Sequence, residues 1–503
     1  MSAQGNSADG RHDVVVIGAG VAGLVAARAC ARLGLSVLVV EASDAAGGCV
    51  GPTEIAGLSL DTGAEGFATR NDAVATLLGE LGLGGDIVDP NPAGAWLRLP
   101  ALHGNGALTV PMPKLSLLGI PGSPLASDVV AAIGWKAAIR AYLDRLRPVL
   151  TIGTEKNLGE LVEKRMGSAV LDRLVAPISG GVYSADPRML EVDAVAPGLN
   201  AAFTRAGSLS GAVSLLKTEA KPGAGVRGIR GGMHRLVDAL LAELAHYGAE
   251  VRLGARAVGL REEPNGSWLV SAESTRAESA DTESASAEGA AESVALQIAA
   301  RAVIVATPST AALGLLADAR PDWDEAAGDW AAGSSVEIVT LVLDAPALDS
   351  APRGTGVLVG AGTPGTTAKA LTHSTAKWAW LAEAAGPGRH VVRLSYGRIG
   401  EVNPSAALGD DELTALALRD ASAILGVELD VTQLVGSART PWRDALSHAA
   451  LGQKDRVAAL RARLEEEPTL AVTGSWLGGT GLASVIPDAT EAAGGIRRHF
   501  VHL

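Results

Sequence analysis

Gly18, Gly20 and Gly23 stand at G-x-G-x-x-G spacing directly after the apolar run at residues 14–17, and the chemistry of that spacing is the cradling of a dinucleotide pyrophosphate. The first glycine permits a tight turn, the second lets backbone N–H groups approach the phosphates, and the third lets the following helix pack on the strand. The helix N-terminus then faces negative charge. Glu41 follows 18 residues after Gly23, at the end of a second apolar run, where a carboxylate holds a ribose hydroxyl pair. The spacing alone admits NAD or FAD. A second glycine-rich stretch, residues 47–67, carries Gly47, Gly48 and the run Asp61-Thr62-Gly63-Ala64-Glu65, which reads as a backbone cradle and not as a catalytic group. The nine histidines are scattered without metal-ligand spacing, so neither a metal centre nor a nucleophilic triad is expected.

The elements that must position these residues are legible from periodicity. Residues 14–17, the helix GLVAARACARLG and residues 36–40 make a strand, helix, strand unit. From about residue 90 to 221 the pattern is mostly helical, with apolar residues at three-to-four spacing over 126–150 and 158–175. Strand pattern returns at 250–260 and 268–271 and resumes at 294–298 and 302–307, around an Ala/Ser/Glu-rich tract at 271–293 with nothing to bury, expected to be a floppy hairpin insertion. Residues 308–455 mix strands with a helix at 410–425, and residues 470–496 form a strand, a glycine-rich turn and a helix.

Nucleotide-type turns at both ends of one chain imply a Rossmann-like α/β domain assembled from distant segments, with an α+β substrate domain and an inserted helical region. The expected division is a disordered leader at 1–10, nucleotide-domain segments at 11–89, 222–307 and 456–503, a substrate and helical region at 90–221, and a substrate domain at 308–455.

Composition narrows the function classes. A chain of 503 residues has room for more than one core. A net charge of −13 with no lysine or arginine cluster argues against nucleic acid as a partner and disfavours anionic lipid. Cys30 and Cys49 are the only cysteines, too few for a disulfide framework, so a reducing, cytoplasmic location is expected. The polar first residues lack a signal-peptide core. No apolar run is long enough to span a bilayer; residues 115–133 come closest and are broken by Gly119, Pro121, Gly122, Pro124 and Asp128, with weak surface association left open.

These residues together resemble the flavin-dependent amine oxidase and protoporphyrinogen oxidase superfamily over nearly the whole chain. The fingerprint, the acid, the paired glycines and the D-T-G-A-E run match its N-terminal pattern, residues 303–308 its A-T-P turn, and residues 474–482 its C-terminal flavin segment. Four segments, EGFATRND at 65–72, PISGGVYSADPRML at 177–190, GIRGGMHRLVDAL at 228–240 and LTHSTAKW at 371–378, resemble the porphyrinogen oxidase branch.

The resemblance implies FAD, held by Gly18, Gly20, Ala22 and Gly23 at the pyrophosphate, by Glu41 and Ala42, and by Gly47, Gly48 and Cys49. It adds Gly63, Ala64 and Glu65, then Ala257 and Val258, Ala306 and Thr307, and last Gly474, Gly481 and Leu482. Where the family has Gly-Gly-Arg, this chain has Gly47-Gly48-Cys49, which removes a charge-assisted phosphate contact. The implied reaction is dehydrogenation of a porphyrinogen in heme biosynthesis, with oxygen as acceptor and hydrogen peroxide as product. Flavin takes the hydride, so no catalytic acid or base is assigned to the protein. Arg70, Lys377 and Tyr183 are the candidate substrate contacts, while His373 reads as structural. The HSTAKW segment resembles the Gram-positive-type members, which points to coproporphyrinogen III, with protoporphyrinogen IX as the alternative and a ferrochelatase as the expected downstream partner. An amine oxidase and a non-catalytic porphyrin- or FAD-binding protein remain as other readings.

Overall fold

The computed structural model describes residues 11–147, 154–219, 225–274, 294–323, 330, 333–445 and 449–501. The expected leader at 1–10 and nearly all of the 271–293 tract lie outside the described residues. Two seven-stranded sheets organise the chain. In the first, Glu250–Arg252, Val37–Val40 (β2), Arg11–Ile17 (β1), Val294–Val305, Trp268–Ser274 and Ala255–Glu262 follow one another, and Leu470–Val472 pairs alongside Val294–Val305. The strands flanking β1 run parallel to it, Trp268–Ser274 runs antiparallel to Val294–Val305, and Ala255–Glu262 runs antiparallel to Trp268–Ser274. The sequences VVVI and VLVV are apolar without alternation because both faces are covered. Helices Val21–Ala31 (α1), Arg235–His246 and Leu482–Val501 bury one face; Ser309–Ala319, Gln453–Leu464 and Trp476 bury the other.

Register decides where the site falls. Ile17 pairs with Val40 and with Val305, and Val305 pairs with Val472. Four strand ends therefore lie at one edge of the sheet, and the turns that follow them, from Gly18, Glu41, Ala306 and Thr473, open at the same place.

The second sheet has the order Leu434–Ala445, Ser334–Asp344, Arg389–Tyr396, Ala370–His373, Gly356–Val359, Ala95–Pro100 and Ala107–Pro111, with helix Asp410–Leu425 on one face. Residues 95–100 and 107–111 correct the expectation of helix from residue 90: Leu97 and Leu99 are buried while Trp96 and Arg98 are half-buried, a period of two that belongs to a strand. Helix begins at Ser127–Tyr142 and continues through Leu158–Met166, Ala176–Val182, Leu199–Ala206 and Leu209–Glu219 around a core of their own. The expected single strand at 250–260 is two strands, split at Gly254, whose φ of 67° no continuous strand accommodates. Among the described residues no helix is long and apolar enough to cross a membrane.

Candidate functional site

Close approach fixes the fingerprint loop. A Cβ on Gly23 would stand 1.9 Å from the Gly18 carbonyl oxygen, so only glycine lets α1 start this near β1. A Cβ on Gly20, by contrast, would meet nothing within 4 Å. That open side lies over the start of α1, whose cap residue Gly20 offers no side-chain hydrogen bond and whose first turn holds no acid. The first N–H groups of the helix are thus left to an anion. Ala22, buried in that turn, supplies packing.

The other segments close on this loop. Gly47 donates its amide to Ala19 O at 2.8 Å and bridges to Gly20, and its φ of 112° suits glycine alone. Gly48 leans on Gly20, close enough that a Cβ there would lie 3.4 Å from the Gly20 Cα. Glu41 Oε2 accepts the Ala19 amide at 2.7 Å and Oε1 the Ser43 amide at 2.9 Å, which aims the carboxylate across the mouth of the loop. Ala42 beside it is exposed. Glu41 O also accepts the amide of Ala255, bringing in the 255–262 strand, where Ala257 and the half-exposed Val258 sit at a bulge.

At the neighbouring strand end Ala306 O would lie 2.7 Å from a Cβ on Gly18. Thr307 O accepts the Trp476 indole at 3.2 Å, which ties the A-T-P turn to the C-terminal turn. Gly474 is buried there, Gly481 has a φ of 91° with open space around it, and Leu482 starts the long C-terminal helix. Thr307 Oγ1 is buried and has no hydrogen-bond partner among the described residues. An orphaned hydroxyl, a loop with room for a ligand over Gly20 and uncapped helix amides fit a flavin dinucleotide.

Cys49 follows Gly48 in the same loop. Its side chain is reached by solvent, yet the protein packed around it pushes the thiol up from its ordinary value. Its carbonyl accepts the Ala64 amide at 3.0 Å, and a Cβ on Gly63 would stand 2.2 Å from that same oxygen. The D-T-G-A-E run is thereby pressed onto the Gly47-Gly48-Cys49 loop. Asp61, at its start, accepts the amides of Met233 and His234 and the His234 ring at 3.1 Å, a bond that raises the His234 pKa against the opposing effect of burial.

The three expected substrate contacts divide into two places. Arg70 is exposed and donates to Thr480 O at 3.3 Å and to Ser484 Oγ, so it sits on the C-terminal turn. Tyr183, at the end of the 176–182 helix, is close enough for Arg70's charge to offset part of the burial that raises its phenol pKa. Lys377 is elsewhere: its ammonium lies 3.6 Å from Glu65 and over the ring of Trp378. His373 is fully buried against His390, 3.1 Å away, and burial with that neighbour pushes its pKa down to about 4.

Sequence reasoning missed Arg393, whose guanidinium pairs with Glu65 at 3.0 Å. The signal was present: an arginine inside the run HVVRLSY is a charge in a buried strand and must find a partner. It also missed Lys369, 1% exposed, whose ammonium donates to Ser184 Oγ at 2.6 Å. A hollow of about 550 Å³ on the outer strands, lined by Gly259, Arg261, Ser271, Gln297 and Asp318, contains none of the site residues and is not taken as the substrate cavity.

The family model of the flavin containing amine oxidoreductases matches residues 21–495. The chain is 29% identical over 484 residues to the coproporphyrinogen III oxidase of Mycobacterium tuberculosis, covering 95% of each. It is 23% identical over 507 residues to that of Bacillus subtilis, covering 96% of this chain and 97% of the relative. A crystal structure of a protein assigned as a protoporphyrinogen oxidase from Exiguobacterium sp. 255-15 superposes with a TM-score of 0.77 at 22% identity, covering 97% of this chain and 99% of that one.

Proposed function

Because the chain belongs to the flavin containing amine oxidoreductases, we propose that it is an FAD-dependent porphyrinogen oxidase that converts coproporphyrinogen III to coproporphyrin III. Oxygen is the acceptor and hydrogen peroxide the second product. The observation that carries the reading is the meeting of four strand-end turns at one sheet edge, with open space over Gly20 and an orphaned Thr307 hydroxyl. The whole-length likeness to relatives named coproporphyrinogen III oxidase supports the substrate.

When bound, the flavin supplies a hydride acceptor for a methylene bridge activated by its electron-rich pyrroles. The residues here have the task of holding both partners. The amides at the start of α1 hold the pyrophosphate, Glu41 the ribose, and residues 257–258 the far end of the dinucleotide. Cys49 brings no charge to the phosphates, so the helix amides carry that contact. The run 63–65 and the turn at 474–482 would hold the flavin end of the cofactor. Arg70, with Tyr183 beside it, binds a propionate through a charge-assisted pair, and Lys377 lies at the opposite end of the 65–70 segment. The packed helical region excludes water from the macrocycle. The enzyme works in the cytoplasm and passes coproporphyrin onward to a ferrochelatase.

The test is a matched-substrate assay of purified, FAD-loaded protein in air. Porphyrin fluorescence is expected to rise faster with coproporphyrinogen III than with protoporphyrinogen IX, with peroxide formed in step. Equal or reversed rates overturn the substrate assignment, and no oxygen uptake with either overturns the enzyme.

A further inference from the structure

Arg393 comes from the middle of strand Arg389–Tyr396 in the second sheet, and its guanidinium reaches the run 62–65, which follows strand Leu58–Asp61 of a separate two-stranded hairpin. Nη2 donates to Thr62 O at 3.0 Å and to Gly63 O at 2.8 Å, while Nη1 pairs with Glu65 at 3.0 Å. One side chain thus grips three of four consecutive residues in the run 62–65. On its other side the run is fixed by Cys49 O, which accepts the Ala64 amide, and by Gly51 O, which accepts the Thr62 amide at 2.8 Å. Arg393 Nε is buried with no partner among the described residues.

The charges around this grip do not cancel. Glu65, 11% exposed, faces both Arg393 and Lys377 and accepts from Ser374 Oγ. Burial works to raise its pKa, and the two cations outweigh that and hold it below the ordinary carboxylate value. Asp61, which lines the same small cavity, is matched separately by His234 and two amides. Around Glu65 itself, two cations therefore stand against one carboxylate. A staple between the second sheet and this hairpin would not need this, since a buried ion pair is a poor source of stability compared with apolar packing. What the cluster supplies that apolar groups could not is two donors on backbone carbonyls and a surplus positive charge.

We propose that Arg393 is a positioning residue for the flavin: it locks the backbone of residues 62–65 against the ring, and together with Lys377 it leaves one positive charge beside that run that favours electron uptake. The proposal rests on the assignment of residues 63–65 to the flavin. Loss of the Arg393 donors frees two carbonyls and unpairs Glu65, and loss of Lys377 removes the surplus charge while the grip stays.

The test measures flavin affinity by titration of the apoprotein and the midpoint reduction potential by dye equilibration, neither of which needs turnover. Arg393→Met is expected to weaken flavin binding about tenfold or more and to lower the potential. Arg393→Lys keeps the charge, so the potential stays near that of the wild type while affinity still falls. Lys377→Gln, at a side chain on the cluster's outer side, lowers the potential and leaves affinity within about threefold. Arg393→Met with wild-type affinity and potential overturns the positioning role, and an unchanged potential in Lys377→Gln overturns the charge role even where Arg393→Met fails to fold. A wild-type apoprotein that takes up no FAD refutes the cofactor assignment instead, which keeps the two failures distinct.

Discussion

The carbonyl of Cys49 accepts the amide of Ala64 at 3.0 Å while its side chain points into solvent-reached space, so this residue holds the cradle together through its backbone and contributes no charge. The side chain is free to change without loss of that bond. Cys49→Arg is expected to tighten FAD binding about three- to tenfold by adding a charge-assisted phosphate contact, read by quenching of flavin fluorescence. Unchanged or weaker binding would place the pyrophosphate away from this loop.

Gly23 tests the loop from the opposite direction. A methyl there collides with the Gly18 carbonyl at 1.9 Å, which is backbone and cannot rotate aside. Gly23→Ala should cost ~1–3 kcal/mol of stability by chemical denaturation and reduce FAD affinity by about tenfold or more. Gly20→Ala, where nothing lies within 4 Å, should leave the apoprotein's stability within ~1 kcal/mol and weaken FAD alone.

Arg70 should act on substrate before chemistry. Arg70→Ala is expected to raise KM for coproporphyrinogen III about tenfold with kcat changed far less, because a propionate contact made equally in ground and transition states is uniform binding. A fall confined to kcat would assign Arg70 to the flavin turn through Thr480 and Ser484 instead.

Lys369 gives a pH dependence with a defined sign. Burial, reinforced by Arg398, pushes its ammonium down to about 7 from an ordinary 10.5. Between those values the unfolded chain binds the extra proton, so stability rises with pH from about 7 to 10.5 and is lost as the pH falls back toward 7. Lys369→Met removes this slope and should stabilise the protein at pH ~7 by ~1–3 kcal/mol in urea unfolding, a gain that shrinks by pH ~9.5. A gain that does not shrink would mean the lysine stays charged where it is.

Much of the nucleotide half was legible because its signals are local. Gly18 to Glu41 and the turn at 474–482 each announce themselves within a few residues, and the sheet register then brings them to one edge. The strands at 95–111 were hidden by the helical stretch that follows, although the alternation of Leu97 and Leu99 with Trp96 and Arg98 carried the correct period. What the chain could not disclose locally was pairing across distance. The sequence offers Lys377 as a substrate contact with no sign of Glu65, which lies far away in the chain, and Arg393 has no visible partner for the same reason. Arg70 was read as a substrate contact without any hint that Thr480 and Ser484 would be beside it.

The packing of α1 against the helix at 482–501 has a consequence for biosynthesis. Val21, Leu24 and Val25 leave the ribosome early, whereas Val485, Ile486 and Ala489, which cover them, come last. At ~5–20 residues per second the first helix waits ~20–90 s for its cover. During that interval helix Arg235–His246 can pack beside it, but the part of its apolar face that the C-terminal helix covers stays exposed. Yield in a heterologous host should therefore depend on chaperone supply and on elongation rate before it depends on flavin.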